Sequence, residues 1–180
     1  LLRSRRSRRQ FQPRELDRAD LARVLEAARF APSGHNEQST QFTVVMGRER
    51  VREVAEASTR FFDKLLGQLG NPIGRFVFRL MAGKRTAEVI VGMLPEIEGV
   101  VTRFKQGTDY ILNDAPALIV FHANEDAQYP SENANLAIQN AALAAETLGL
   151  GCFYAGFVLA AAKRDDAVAQ QLGLPDAHHV

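Results

Sequence analysis

The chain has 180 residues, of which 46% are hydrophobic and 24% charged, the make-up of one soluble domain with a sizeable core and too little length for two. No apolar run approaches the ~20 residues of a membrane-spanning helix. Leu1-Leu2-Arg3-Ser4-Arg5 lacks the apolar stretch of a secretory signal, and the lone cysteine, Cys152, excludes a disulfide framework or an all-cysteine metal site, so a cytoplasmic setting is expected. The net charge of +1 hides an asymmetry: Arg3, Arg5, Arg6, Arg8 and Arg9 fall in the first nine positions, and the other 17 basic residues face 21 acidic ones, a net −4.

In chain order, Asp17 can cap a helix to Phe30, with Leu21, Val24, Leu25 and Ala28 on one face. Pro32-Ser33-Gly34 ends it, and Gln41 to Met46 reads as a strand. Glu49 to Thr59 reads as a helix. Between 60 and 105 the pattern is broken by Gly67, Gly70, Asn71, Pro72 and Gly74, with a further helix expected from Thr86 to Phe104; this stretch is either a mobile lid or an extra packing layer. Ala117 to His122 is a buried strand. Ser131 is expected to cap a long alanine-rich helix to Leu148, closed by Gly149; a strand follows at Gly151 to Ala155, a turn at Gly156, and a last helix from Asp165 to Leu172. This order predicts an α+β domain, a mixed sheet covered by helices.

Two clusters could carry chemistry. Arg5-Arg6-Ser7-Arg8-Arg9 offers forked guanidinium donors and a hydroxyl, suited to a phosphate; the plainer reading is a solvated basic tail, and with Phe11 as its only aromatic neighbour and an acidic remainder it makes a poor nucleic-acid module. Ser33-Gly34-His35-Asn36-Glu37-Gln38 packs a hydroxyl and two amides into six positions, suited to the edge of a heteroaromatic ring or equally to an ordinary polar loop. Cys152 reads as a small buried hydrophobe, His122 as a hydrogen-bonded structural histidine, and His178 and His179 as surface residues. No histidine spacing suggests a metal, and no side-chain nucleophile stands out.

Together these segments resemble the FMN-dependent nitroreductase family. Its Arg-Arg-Ser-x-Arg opening appears as Arg5 to Arg9, its Ala-x-x-Ala-Pro-Ser helix end within Ala27 to Ser33, and its Asn-x-Gln loop as Asn36-Glu37-Gln38. Asp114 to Val120, Asn140 to Gly151 and Leu172 to Pro175 are similar to later family segments. Two features depart from the pattern: Ser39-Thr40 stands where the family has Pro-Trp, and the family's closing strand with its basic pair is missing after Val180, which predicts a C-terminal truncation.

The resemblance implies a single three-layer α+β domain over 1–180, its mostly antiparallel sheet flanked by helices, with a helical insertion at about 60–105. It implies FMN as cofactor. Arg5, Arg6 and Ser7 would hold its phosphate and ribityl end, with Arg9 on the ribityl chain or ring edge. Ser33, Gly34, Asn36 and Gln38 would lie against the flavin, in part from a partner subunit, and the backbone of Ala155 and Gly156 would approach its reactive nitrogen. The implied activity is ping-pong transfer from NAD(P)H to a nitroaromatic, quinone or similar small acceptor in a homodimer with FMN at the interface. Dehalogenation or ring fragmentation are related activities, and some relatives use ferredoxin or an iron–sulfur domain fused upstream. The alternative from another class is a non-catalytic flavin- or nucleotide-binding regulator whose basic arm is an interaction tail.

Overall fold

The computed structural model describes residues 2–175 and 178–180. Its centre is an antiparallel pair, β1 (Gln41–Met46) and β2 (Ala117–Asn124), in the register Gln41↔His122 to Met46↔Ala117. A short β3 (His178–His179) pairs antiparallel with the end of β2, giving the order β1-β2-β3.

The period-2 alternation of strand side chains divides the core into two layers. Phe42, Ile119 and Phe121 point to a layer built by α1 (Arg18–Arg29) and α5 (Pro130–Thr147), where they meet Val24, Ala28, Ala137, Ala141 and Ala145. Ala137, Ala141 and Ala145 recur every four residues, so α5 offers a strip of small side chains along which α1 can approach closely; Asn140 donates to the Ala27 carbonyl at 3.2 Å across that contact. Val45, Leu118 and Val120 point the other way, to a core with Val51, Val54, Phe62, Ile97 and Val101. That layer comes from α2 (Arg48–Leu69), α4 (Lys84–Lys105), α6 (Gly156–Ala162) and α7 (Asp166–Gln171). The result is helix, sheet, helix: the expected three-layer α+β arrangement.

Asp17 caps α1 as expected, accepting from the Ala19 amide at 2.8 Å, and β1 has the expected bounds. Other elements differ. Ser131 does not cap α5; Tyr129 is its N-cap and Pro130 its first residue, where a fixed φ and a missing N–H cost nothing. The strand expected at 151–155 is reduced to one parallel bridge, Ser7↔Cys152, because only a single residue of the arm runs alongside it. Gly156 opens the short helix α6 rather than a plain turn. His178 is not a free surface residue but half-buried in β3.

The middle segment is three helices, separated at Gly70-Asn71 and at Gly83. α2 runs on to Leu69, burying Phe62 and Leu69, and the second half of α4 buries Ile97, Val100 and Val101, so both serve as packing layers. Between them α3 (Pro72–Ala82) buries none of its residues; Ile73, Phe76, Leu80 and Met81 are 63–83% exposed.

Candidate functional site

The N-terminal segment is held in place by one backbone bond, a close approach at a glycine and a side-chain clamp. The Arg8 amide donates to the Cys152 carbonyl at 2.9 Å, and a side chain at Gly151 would collide with Arg8, its Cβ coming within 2.8 Å of the Arg8 Cβ. Further along, Arg48 at the start of α2 donates its guanidinium to the carbonyls of Gln12 and Asp114, clamping the arm to the approach of β2.

Beneath the arm lies a cavity of about 1000 Å³, the upper end of the size range for cofactor pockets. Arg5, Ser7, Arg8 and Arg14 line it from the arm, with Lys163 from beyond α6. Two carboxylates, Glu15 and Glu146, oppose these four cations, so the wall is electropositive. The rest of the lining is largely apolar and draws on both layers, with Leu118, Ile119, Ala142 and Val158 among its residues beside Phe153-Tyr154-Ala155. Cationic and hydroxyl donors in an otherwise apolar lining suit a ligand with an anionic end and a flat apolar body.

The arm's arginines diverge. Arg5 reaches the cavity and is the half-buried one. Arg6 turns back and donates to the carbonyls of Arg3 (2.8 Å) and Arg5 (2.9 Å), so its guanidinium shapes the arm's own turn and is absent from the wall. Arg9 stacks its guanidinium 5.4 Å from the Phe153 ring centre. Cys152 lines the cavity as a neutral thiol: burial pushes its pKa up against the opposing pull of Arg5.

The polar loop lies elsewhere. Ser33, Gly34, Asn36 and Gln38 contribute nothing to the cavity wall; they sit at the other end of α5, where the Gly34 amide donates to Asn133 Oδ1 at 2.9 Å. Asn133 and Ala145, whose carbonyl accepts from Leu150 shortly before the arm's contact at Cys152, are about 18 Å apart along the helix axis. Gly34 is explained within the chain, since a Cβ there would come within 2.7 Å of the Tyr129 ring. In the loop, Gln38 Nε2 donates to Asn36 Oδ1 at 3.1 Å, which leaves the Gln38 oxygen and the Asn36 amide nitrogen free of that bond as one acceptor and one donor. Ala155 lines the cavity with φ −84° and ψ 63°, an inverse γ-turn that the Gly156 amide closes onto the Tyr154 carbonyl at 3.0 Å. A Cβ at Gly156 would meet only Tyr154 Cδ1, at an ordinary 3.9 Å.

The model of the Nitroreductase family matches residues 2–180. The chain belongs to the Nitroreductase family. A relative from Archaeoglobus fulgidus, provisionally named NADH dehydrogenase/NAD(P)H nitroreductase, is 27% identical over 173 residues, covering 96% of this chain and 74% of its own. A solved Bacteroides fragilis nitroreductase with bound FMN superposes with a TM-score of 0.71 at 22% identity, over 99% of this chain and 81% of the other. A mutant of the FMN and NADPH-dependent nitroreductase NfnB from a Sphigopyxis strain gives 0.63 at 28% identity, over 98% and 81%.

Within this family member, sequence reasoning passed over three residues that organise the two clusters. Arg48 reads as an ordinary charge at a helix start. Asn133 is buried in the first turns of α5 among unremarkable polar neighbours, and Glu37 occupies the variable position of Asn-x-Gln. A polar residue expected on a buried helix face was a signal for Asn133; nothing local marked the other two. Among the described residues no group of histidine, cysteine, aspartate or glutamate is arranged to hold a metal, and no helix is long and apolar enough to cross a membrane.

Proposed function

We propose that this chain is an FMN-dependent oxidoreductase acting as a homodimer, with NAD(P)H as electron donor and a nitroaromatic, quinone or similar small molecule as acceptor. The observation that carries this reading is the electropositive cavity under the arm, whose lining combines Arg5, Ser7 and Arg8 with apolar residues. Arg5 and Ser7 are assigned to the FMN phosphate, with Arg8 beside them. Arg6 joins only if it leaves the carbonyls of Arg3 and Arg5, and Arg9 acts through its stack on Phe153. Ala155 and Gly156 are assigned to the ring.

What supports the dimer is the separation of the arm, bonded at Cys152, from the polar loop, bonded at Asn133. The loop of Ser33, Gly34, Asn36 and Gln38 lines no part of its own subunit's cavity, which runs along α5 from Ser131 to Glu146, and a two-fold axis would present the loop of a second copy to it. The acceptor and donor left by the Asn36–Gln38 pair match the mixed donor–acceptor edge of a flavin's pyrimidine ring. FMN, when bound, supplies the hydride and electron chemistry, and the two substrates would use the same exposed face in turn. The chain's own contribution is to bind the phosphate, orient the ring and hold positive charge near it. The exposed apolar face of α3 is assigned as a roof that shapes acceptor choice.

Reconstitution with FMN tests this reading: a yellow protein that bleaches anaerobically with NADH or NADPH is expected, with reduced ferredoxin compared in parallel. Arg5→Ala combined with Ser7→Ala should weaken FMN binding strongly while leaving the melting temperature in place. A chain that stays colourless at saturating FMN overturns the proposal and returns the arm to the role of an interaction tail.

A further inference from the structure

The loop at the N-terminal end of α5 has an unusual backbone. His35, Asn36 and Gln38 have φ values of 52°, 56° and 51°, in the left-handed region that disfavours residues with a Cβ. A cluster of such residues persists only where its surroundings hold it. Between them Glu37 is right-handed, at φ −63° and ψ −33°.

The Glu37 side chain supplies the hold. Its Oε1 accepts from the Gln128 amide at 2.8 Å; its Oε2 accepts from the Ser39 hydroxyl at 3.0 Å and from Asn133 Nδ2 at 3.2 Å. Asn133 is 2% exposed and turns its other amide atom, Oδ1, to the Gly34 N–H. Ser33 Oγ closes the loop from inside by accepting from the Gln38 amide at 2.9 Å. One carboxylate thus ties the loop to the turn before α5 and to α5 itself. Its donors, the amides of Gln128 and Tyr129, the Ser39 hydroxyl and the Asn133 amide, are all neutral, and no ion pair among the described residues involves it. That explains a carboxylate rather than an amide: glutamine would turn an NH₂ toward groups that are themselves donating.

We propose that Glu37 is a positioning residue for the cofactor: by bracing the left-handed backbone of residues 35–38 it sets the direction of the Asn36–Gln38 amide pair and so the affinity for the flavin ring. The inference rests on the proposed function for its cofactor half, and the bracing itself can be read without cofactor.

The test compares the full chain with Glu37→Gln, Glu37→Ala and the double variant Glu37→Ala/His35→Gly. In FMN-free protein, amide hydrogen exchange at Gly34, Gln38 and Gln128 should accelerate about tenfold or more in both single variants, while the helix amides of α1 and α5 keep their protection. In FMN titrations followed by flavin fluorescence, both single variants should bind about tenfold more weakly. The glycine at position 35 should recover part of that loss, since it removes one of the strained positions. Unchanged exchange at the three amides overturns the brace. Faster exchange with unchanged FMN affinity overturns the positioning role. Failure of the unmutated chain to bind FMN overturns the proposed function and with it the cofactor half, and the exchange result still decides the brace.

Discussion

The amide of Arg8 donates to the carbonyl of Cys152 at 2.9 Å, and this contact joins the arm that opens the chain to the segment that follows its central helix. Where an isolated basic tail would wave in solvent, one backbone bond and the Arg48 clamp lay the arm across the cavity mouth. The arm therefore depends on the flatness of what it crosses, and Gly151 provides it.

Gly151→Ala puts a Cβ 2.8 Å from the Arg8 Cβ, near the fixed backbone end of that side chain, so the arm must move. The expected result is weaker FMN binding with little change in melting temperature, because the arm is largely exposed and contributes little to the core. Equilibrium titration with FMN beside a thermal melt checks it.

Gly156→Ala should behave differently. The position has room for a Cβ and opens helix α6, so alanine should leave the fold intact or stabilise it by up to about 1 kcal/mol. If the backbone there lies against the flavin, FMN affinity falls in a protein that melts no earlier. Unchanged affinity would remove Gly156 from the cofactor site.

β3 is tied to β2 by a pair of histidine rings. His122 is 3% exposed, and its Nδ1 lies 2.8 Å from Nδ1 of His178, its Nε2 3.0 Å from the Thr43 hydroxyl. Burial, with the His178 charge adding to it, holds the His122 pKa below its ordinary 6.5. The folded state thus favours the neutral ring. The stability it contributes is complete above about pH 6.5 and is lost as the pH falls through the lowered pKa. Melting temperature should drop on acidification, and His178→Ala should flatten part of that slope. Parallel slopes in the two proteins would show that His178 adds nothing to the lowering of the His122 pKa.

Leu112→Ala should cost roughly 3 kcal/mol, since Leu112 is 1% exposed in the core beside β2 and its loss leaves a cavity. The paired change Ile73→Ser/Leu80→Ser, on the exposed face of α3, should barely alter denaturant stability. It should instead shift the ratio of rates between a quinone and a nitroaromatic acceptor. Removal of α3 (Pro72–Ala82) with unchanged selectivity would exclude the roof role altogether.

Much of the fold was legible because its signals are local. Asp17 announces its cap through the Ala19 amide two residues on, and the alternation of Phe42, Ile119 and Phe121 against Val45, Leu118 and Val120 sorts the two faces of the sheet. What was not legible depends on distant partners. Gly151 to Ala155 has the composition of a strand, yet strand structure needs a neighbour, and the arm supplies one bridging residue. Glu37 and Asn133 meet across 96 positions, and neither carries a mark of the other.

The amino-acid sequence by itself determined the order of elements, the α+β class, the family pattern and the presence of a basic arm, because periodicity, caps and motif spacing are written in neighbouring residues. Tertiary structure alone decided what the arm does with its charges. Arg5 reaches into the cavity, Arg6 folds back on its own backbone and Arg9 lies on Phe153; three like residues in one short run differ because a long guanidinium side chain takes its direction from the surface it crosses. The structure also set the arm and the polar loop at opposite ends of α5. A helix is a rigid spacer of fixed rise, and its length keeps apart two motifs that the sequence places one helix from each other.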